Sequence, residues 1–151
     1  MSALDLIARY YDACSGGDAE GVAACCTSEV VHWFLAPNVG STPVRGAEHL
    51  GRYWRKVHGV IDPVWVVDHG IEAGDEAVIE WSMFWRAGSG ERVVTRGAEW
   101  FVLREGHIAE IRSYYRQEQH DAQLDAFPYA ERGYSGHGAE RSARHTPKSR
   151  T

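Results

Sequence analysis

The stretch RGAEWFVLREGHIAEIRSYY, residues 96–115, decides how this chain folds. β-Branched and aromatic residues alternate with polar ones on both sides of Glu105-Gly106, and an acidic residue followed by Gly is turn chemistry. The pattern predicts two antiparallel strands, about 92–104 and 107–117, joined by a tight hairpin. Towards the N-terminus, AGSG at 87–90 and AGDE at 73–76 are further Gly-bearing reversals. They bound strands at about 77–87 and 64–72, and long neighbouring strands with short turns pair antiparallel.

Period-two alternation gives each strand two faces. One set holds Ile79, Trp81, Met83 and Trp85, then Val94, Arg96, Ala98, Trp100 and Val102, then Ile111, Ser113 and Tyr115. It is the more continuously apolar set, so it is expected to face the helices. With Glu105-Gly106 at the hairpin centre, Arg96 pairs with Tyr115 and Ala98 with Ser113 on that inner side. Glu99 then pairs with Arg112 outside, as a cross-strand ion pair. A bulge exchanges faces; with the faces exchanged, Glu80, Glu99, Arg112 and Tyr114 line the site instead.

The N-terminal part is helical. Ser2-Ala3-Leu4-Asp5 reads as a capping box opening a helix to about Cys14, with Leu6, Ile7, Tyr10 and Cys14 on one stripe. Ser15-Gly16-Gly17 stops it, and Asp18 caps a short second helix. EVVHWFL at 29–35 is β-rich. After a loop dense in Gly, Pro and Ser, a third helix runs from Ala47 to about Val57 and stops at Gly59, with Leu50, Tyr53, Trp54 and Val57 on its apolar face. Beyond about residue 118 the chain is polar except for LDAFPYAERGY at 124–134, expected as a lid or an interface. The domain is therefore placed at 1–134, with a disordered tail at 135–151.

Three motifs, in this order and spacing, carry a resemblance. They are SGGDAEGVAACCTSEVVHWF (15–34), VRGAEHLGRYW (44–54) and the closing hairpin quoted first. Together the chain resembles the nuclear-transport-factor-two-like superfamily over about residues 3–117, including its polyketide cyclase and ketosteroid isomerase-like branches. The resemblance implies an α+β fold in which three N-terminal helices pack in the concave face of a curved antiparallel sheet, a cone-shaped α+β barrel around an apolar pocket. Threaded on the isomerase branch, Tyr10 takes the place of an oxyanion-hole tyrosine, Phe34 that of a catalytic aspartate and Arg96 that of a protonated aspartic acid. Ser113 stands where the cyclases and epoxide hydrolases keep a last-strand aspartate. The tyrosine is kept and the carboxylates are not, so no relative's mechanism transfers whole.

The candidate catalytic set is Tyr10, His32, Arg96 and Tyr115. His32 shares a side with Phe34 and titrates near neutral pH, which suits a general base. Tyr10, Tyr115 and Arg96 are expected to hold a carbonyl or enolate oxygen. Trp33, Phe34, Trp54, Trp81, Trp85 and Ser113 are expected to shape the substrate pocket. The expected function is a cofactor-independent acid–base enzyme, of isomerase, cyclase, dehydratase or epoxide hydrolase type, on a hydrophobic small molecule. The alternatives are a non-catalytic binding module and a homodimeric interaction domain using outward Phe84, Phe101 and Tyr114.

Composition narrows the partners. A formal net charge of −5 disfavours nucleic acid and anionic membrane. The N-terminal sequence lacks a basic-then-apolar leader pattern, so the cytoplasm is the expected compartment, and a homodimer the expected assembly. The cysteines, Cys14, Cys25 and Cys26, form no CxxC pair and read as small buried thiols. The eight histidines make no HxxxH or HxH spacing, so no metal is expected, and no phosphate loop or dinucleotide fingerprint calls for a cofactor.

Overall fold

In the computed structural model, which describes residues 1–136, the helices α1 (Ala3–Gly16), α2 (Ala19–Ala24) and α3 (Ala47–Ile61) pack on one sheet. Its strands are β1 (Cys26–Trp33), β2 (Val44–Arg45), β3 (Val64–Ala73), β4 (Glu76–Arg86), β5 (Arg92–Arg104) and β6 (His107–Tyr114). They lie in the order β2-β1-β6-β5-β4-β3. The α+β class and the helix-then-meander order are those expected. Two features differ from the all-antiparallel cone. β1 runs parallel to β6, which makes the sheet mixed, and β3 and β2 are free edges, so the sheet does not close. β1 enters from the helical layer rather than through a hairpin, and only such a crossover lets neighbouring strands run parallel.

Local chemistry sets the helix ends. Both capping-box bonds form: Asp5 N–H donates to Ser2 Oγ at 3.1 Å and Ser2 N–H to Asp5 Oδ2 at 3.2 Å. Gly17 ends α1 in the left-handed region, with φ at 66°, and Asp18 caps α2 by accepting from Gly21 N–H. α3 passes through Gly59 and stops at Asp62, which takes the left-handed cap with φ at 46°. One helical glycine costs only about 1 kcal/mol, too little to end a helix still packed by its apolar face. Leu6, Ile7, Tyr10, Tyr11 and Cys14 of α1 join Leu50 and Trp54 of α3 and the inner residues of β4, β5 and β6 in one buried core.

Two one-residue slips bracket β5. The loop at 87–91 is one residue longer than the AGSG reading allows: Arg86 pairs with Arg92, so Trp85 pairs with Val93 and Trp81 with Gly97. At the other hairpin Arg104 pairs with His107 as expected, but a bulge after Leu103–Ile108 shifts every later pair. Glu99 therefore pairs with Ser113, and Ala98 with Tyr114. β4 and β6 keep the faces read from sequence, while β5 is turned over. Val93, Thr95, Gly97, Glu99 and Phe101 face inward; Arg96, Ala98 and Trp100 do not. Phe101, expected outside, is fully buried in the main core, and Phe84 is covered in a small cluster with Val66 and Val94.

The outer side of β5 is covered by the chain after β6. Ala122 bridges Thr95 in the parallel sense, through Arg96 N–H to Ala122 O and Ala122 N–H to Val94 O, both at 2.9 Å. Arg96 then reaches across: its guanidinium donates to Ser82 Oγ, Gln123 Oε1 and the Ser135 carbonyl, and lies 4.0 Å over the Tyr129 ring. Phe127, Tyr129 and Tyr134 pack edge to face on one another. Ser135 is fully buried, so the expected tail does not begin there; the remaining tail residues, 137–151, lie outside the described residues. The segment 124–134 thus lies over the outer face of the sheet.

Arg96→Met is expected to release this segment and leave the core intact. Hydrogen exchange at the Ala122 and Ser135 amides should quicken by tenfold or more, and stability should fall by about 1–3 kcal/mol; unchanged exchange there would contradict the clamp.

Candidate active site

Between α3 and the concave face lies a cavity of about 380 Å³, mostly apolar. Trp65, Trp81 and Met83 with Glu99 and Ser113 come from the sheet, and Tyr53, Trp54 and Val57 from α3. Phe34 and Tyr115 lie on its wall, beside Val39, Gly40 and Gln117. Asn38 fixes the 35–43 loop here by donating to the Tyr115 carbonyl and accepting from Gln117 N–H.

The structure brings five of the sequence-derived candidates to this cavity: Phe34, Trp54, Trp81, Ser113 and Tyr115. His32 sits one layer behind. It is fully buried, its Nε2 is 2.5 Å from Ser113 Oγ, and its ring stacks on Phe34 at 4.0 Å. Tyr10 is also behind the wall, and its hydroxyl accepts from Trp54 Nε1 at 2.8 Å, so it orients an indole inside the core. Three candidates lie elsewhere. Arg96 is on the outer face under the C-terminal segment, because β5 is turned over. Trp33 alternates with His32 and so points outward, 39% exposed, with Arg45 over its ring. Trp85 is core, its Nε1 donating to Thr95 Oγ1.

Glu99 is the titratable cavity side chain that the sequence pattern placed outside. It was legible only through the exchanged-face alternative, and of that set only Glu99 enters the cavity. In the structure Gly97 marks the same face. A β-carbon there would come within 2.8 Å of both the Trp81 ring and the Tyr115 β-carbon, so Gly97 marks the face of β5 over which the aromatic wall closes. Glu99 lies two residues on, along the same face.

Burial dominates the electrostatics. Glu99 is 3% exposed, and loss of water raises its pKa from 4.5 to about 8. Tyr11, Trp81 and Ser113 stand close enough to favour the ionised form, but do not offset the burial. Glu99 Oε2, the Tyr11 hydroxyl and Trp81 Nε1 close no hydrogen bond of good geometry. His32 Nε2 is 3.9 Å from Glu99 Oε2, and burial lowers the His32 pKa from 6.5 to about 3. At neutral pH the two groups therefore face each other uncharged: a carboxylic acid and a neutral imidazole. His32 Nδ1 also lacks a partner, so nothing orients the ring as the base of a serine nucleophile. Among the described residues no group of three His, Cys, Asp or Glu side chains is placed to hold a metal ion, and no helix is long and apolar enough to cross a membrane.

Three helices packed on one side of a six-stranded mixed sheet, with a cavity between α3 and the sheet, are the arrangement of the nuclear-transport-factor-two-like fold. Residues 7–111 match the SnoaL-like domain, and the chain belongs to that family. A protein of unknown function with a cystatin-like fold from Methylobium petroleophilum PM1 is 32% identical over 89% of this chain and 93% of its own, with a TM-score of 0.67. Two more distant structures share the fold. One is a Catenulispora acidiphila protein with a ketosteroid isomerase-like fold in complex with trimethylamine, 15% identical over 76% of this chain and 87% of its own, TM-score 0.68. The other is a Pseudomonas putida KT2440 protein labelled a polyketide cyclase, 21% identical over 77% and 92%, TM-score 0.64. No curated protein matches the chain.

The two buried groups set opposite pH dependences. Between about 3 and 6.5 the unfolded chain holds the His32 proton more tightly than the folded one, so stability rises with pH. Between 4.5 and about 8 the folded chain holds the Glu99 proton more tightly, so stability falls as pH rises. Above 6.5 only the Glu99 effect remains. The wild type is expected to lose about 2 kcal/mol between pH 6.5 and 8, and Glu99→Gln to lose little. Urea melts across that window check this; parallel curves for the two proteins would show that Glu99 is not the titrating group.

Proposed function

We propose that this chain is a cofactor-independent acid–base enzyme that moves a proton within a hydrophobic small molecule, with Glu99 as the proton-moving group. The observation that carries the reading is one carboxyl at the floor of an apolar cavity, with its pKa raised by burial to about 8. A general acid–base works best when its pKa lies near the working pH. A raised pKa also makes the ionised form a stronger base than an exposed glutamate. One such group can take a proton from carbon and return it to another atom of the same molecule, so the cycle closes without a second acid. Isomerisation by a proton shift and dehydration by loss of a β-hydroxyl both have this form.

In this reading His32 is a positioning residue: its short contact fixes the Ser113 hydroxyl beside the carboxyl. Tyr53 and Tyr115 shape the wall. The label of the Pseudomonas putida relative supports a polyketide-like, ring-bearing ligand. The same neutral floor also suits a module that holds a ligand unchanged. Exchange of protons α to the carbonyl in D2O, followed by NMR over a panel of cyclic enones and β-hydroxy ketones, separates the two. The enzyme reading expects exchange that rises about tenfold per pH unit and levels near pH 8, with Glu99→Gln slower by 10²–10⁴-fold. Binding without exchange, or exchange untouched by Glu99→Gln, would leave the binding module.

We also propose a homodimer through the outer face. Trp33, Arg112 and Trp100 lie side by side across β1, β6 and β5, with Arg112 over the Trp100 ring and both indoles 39% exposed. Trp100→Glu should convert the dimer to monomer in sedimentation at micromolar concentration; a wild type that is monomeric there rules the dimer out.

A further inference from the structure

With Glu99 moving the proton, the ligand's oxygen still needs a donor in the cavity wall. Trp81 stands out. Its side chain is 3% exposed and lines the cavity, yet Nε1, although close to the Glu99 carboxyl, closes no hydrogen bond of good geometry. Two other indoles of the core are satisfied internally: Trp54 by the Tyr10 hydroxyl and Trp85 by Thr95 Oγ1. A buried N–H left open costs about 1–3 kcal/mol, so such a group in a cavity wall points to a ligand acceptor. The ring is also held in place. It lies 5.5 Å from the Tyr115 ring, and the missing β-carbon of Gly97 opens the space it fills. On the same floor Glu99 Oε2 lacks a partner as well, and the indole is near enough to the carboxyl to favour its ionised form.

We propose that Trp81 Nε1 donates a hydrogen bond to a carbonyl oxygen of the ligand, so that the cavity selects flat, apolar ketones over hydrocarbons of the same shape. The inference rests on the acid–base reading and deepens it. A ketone held by the indole presents its α-carbon to the Glu99 carboxyl. When the base takes that proton, the electron pair moves onto the oxygen and the same N–H bonds more strongly to the enolate. Return of the proton from Glu99 to the ligand restores a carbonyl compound and the starting carboxylate.

The test uses 2-acetylnaphthalene and 2-ethylnaphthalene, alike in shape and differing in one acceptor. Wild type is expected to bind the ketone about tenfold more tightly at pH 7, an increment of about 1.4 kcal/mol. Trp81→Phe keeps an aromatic wall without the N–H; it should erase the preference and leave ethylnaphthalene affinity within about twofold. The infrared carbonyl stretch of bound acetylnaphthalene should move up in frequency in the variant, a shift that altered packing alone would not give. An intact preference and unshifted stretch in Trp81→Phe would show that the indole serves only Glu99, and would overturn the inference while leaving the cavity reading standing. If neither naphthalene binds wild type, the cavity reading fails and takes this inference with it. Should Trp81→Phe not fold, Gly97→Ala, which displaces the ring, is expected to lower the ketone preference in the same way.

Discussion

A carboxyl that is kept out of water, and yet faces a cavity, is the constraint on which the site depends. Ionising Glu99 in place is costly because it is buried beside Trp81, Met83 and Phe101, and loss of water dominates its electrostatics. The hydroxyls of Tyr11 and Ser113 and the Trp81 indole recover part of that cost. The result is an acid that keeps its proton at neutral pH and gives it up a little above. A cation paired with Glu99 would have held it ionised; Arg96, two positions from Ala98 on the same strand face, is on the other side of the sheet.

That division of faces follows from backbone geometry on either side of β5. A longer loop at 87–91 and a bulge in the β5–β6 hairpin each shift the pairing by one residue, and side chains alternate with period two. Both slips turn β5 the same way relative to β4 and β6, so the three strands stay consistent with one another. Glu99 goes to the cavity and Arg96 to the outer face, where the segment after β6 buries it. The inner face thereby acquires its acid, and the outer face acquires the anchor for the C-terminal segment.

Features written in local chemistry were legible in the sequence. The Ser2–Asp5 capping box, the Asp18 cap, the Glu105-Gly106 hairpin and the alternating β4 and β6 faces all depend on neighbours close in the chain. So did the family resemblance, carried by motifs of about twenty residues or fewer. What was not legible depends on counting across turns. Residues on β5 have no local signal that tells a loop at 87–91 from one residue fewer, and no propensity announces the bulge near Ala109. Trp33 and Trp85 show a second limit: aromatic composition marks a cavity wall, a core and an outer patch alike, and only the register separates them. Ser135 shows a third, since a polar residue in a polar run is buried here by hydrogen bonds from Arg96 and to Asp68.

The protonation state of Glu99 is the central claim, and it can be read directly. With carbon-13 at the glutamate side-chain carboxyls, the Glu99 resonance, assigned by its loss in Glu99→Gln, is followed by NMR from pH 4 to pH 10. The account predicts a single titration with its midpoint near 8, well apart from the exposed glutamates. A midpoint between 4 and 5 would mean that the carboxyl is ionised and solvated at neutral pH, and would contradict the mechanism built on it.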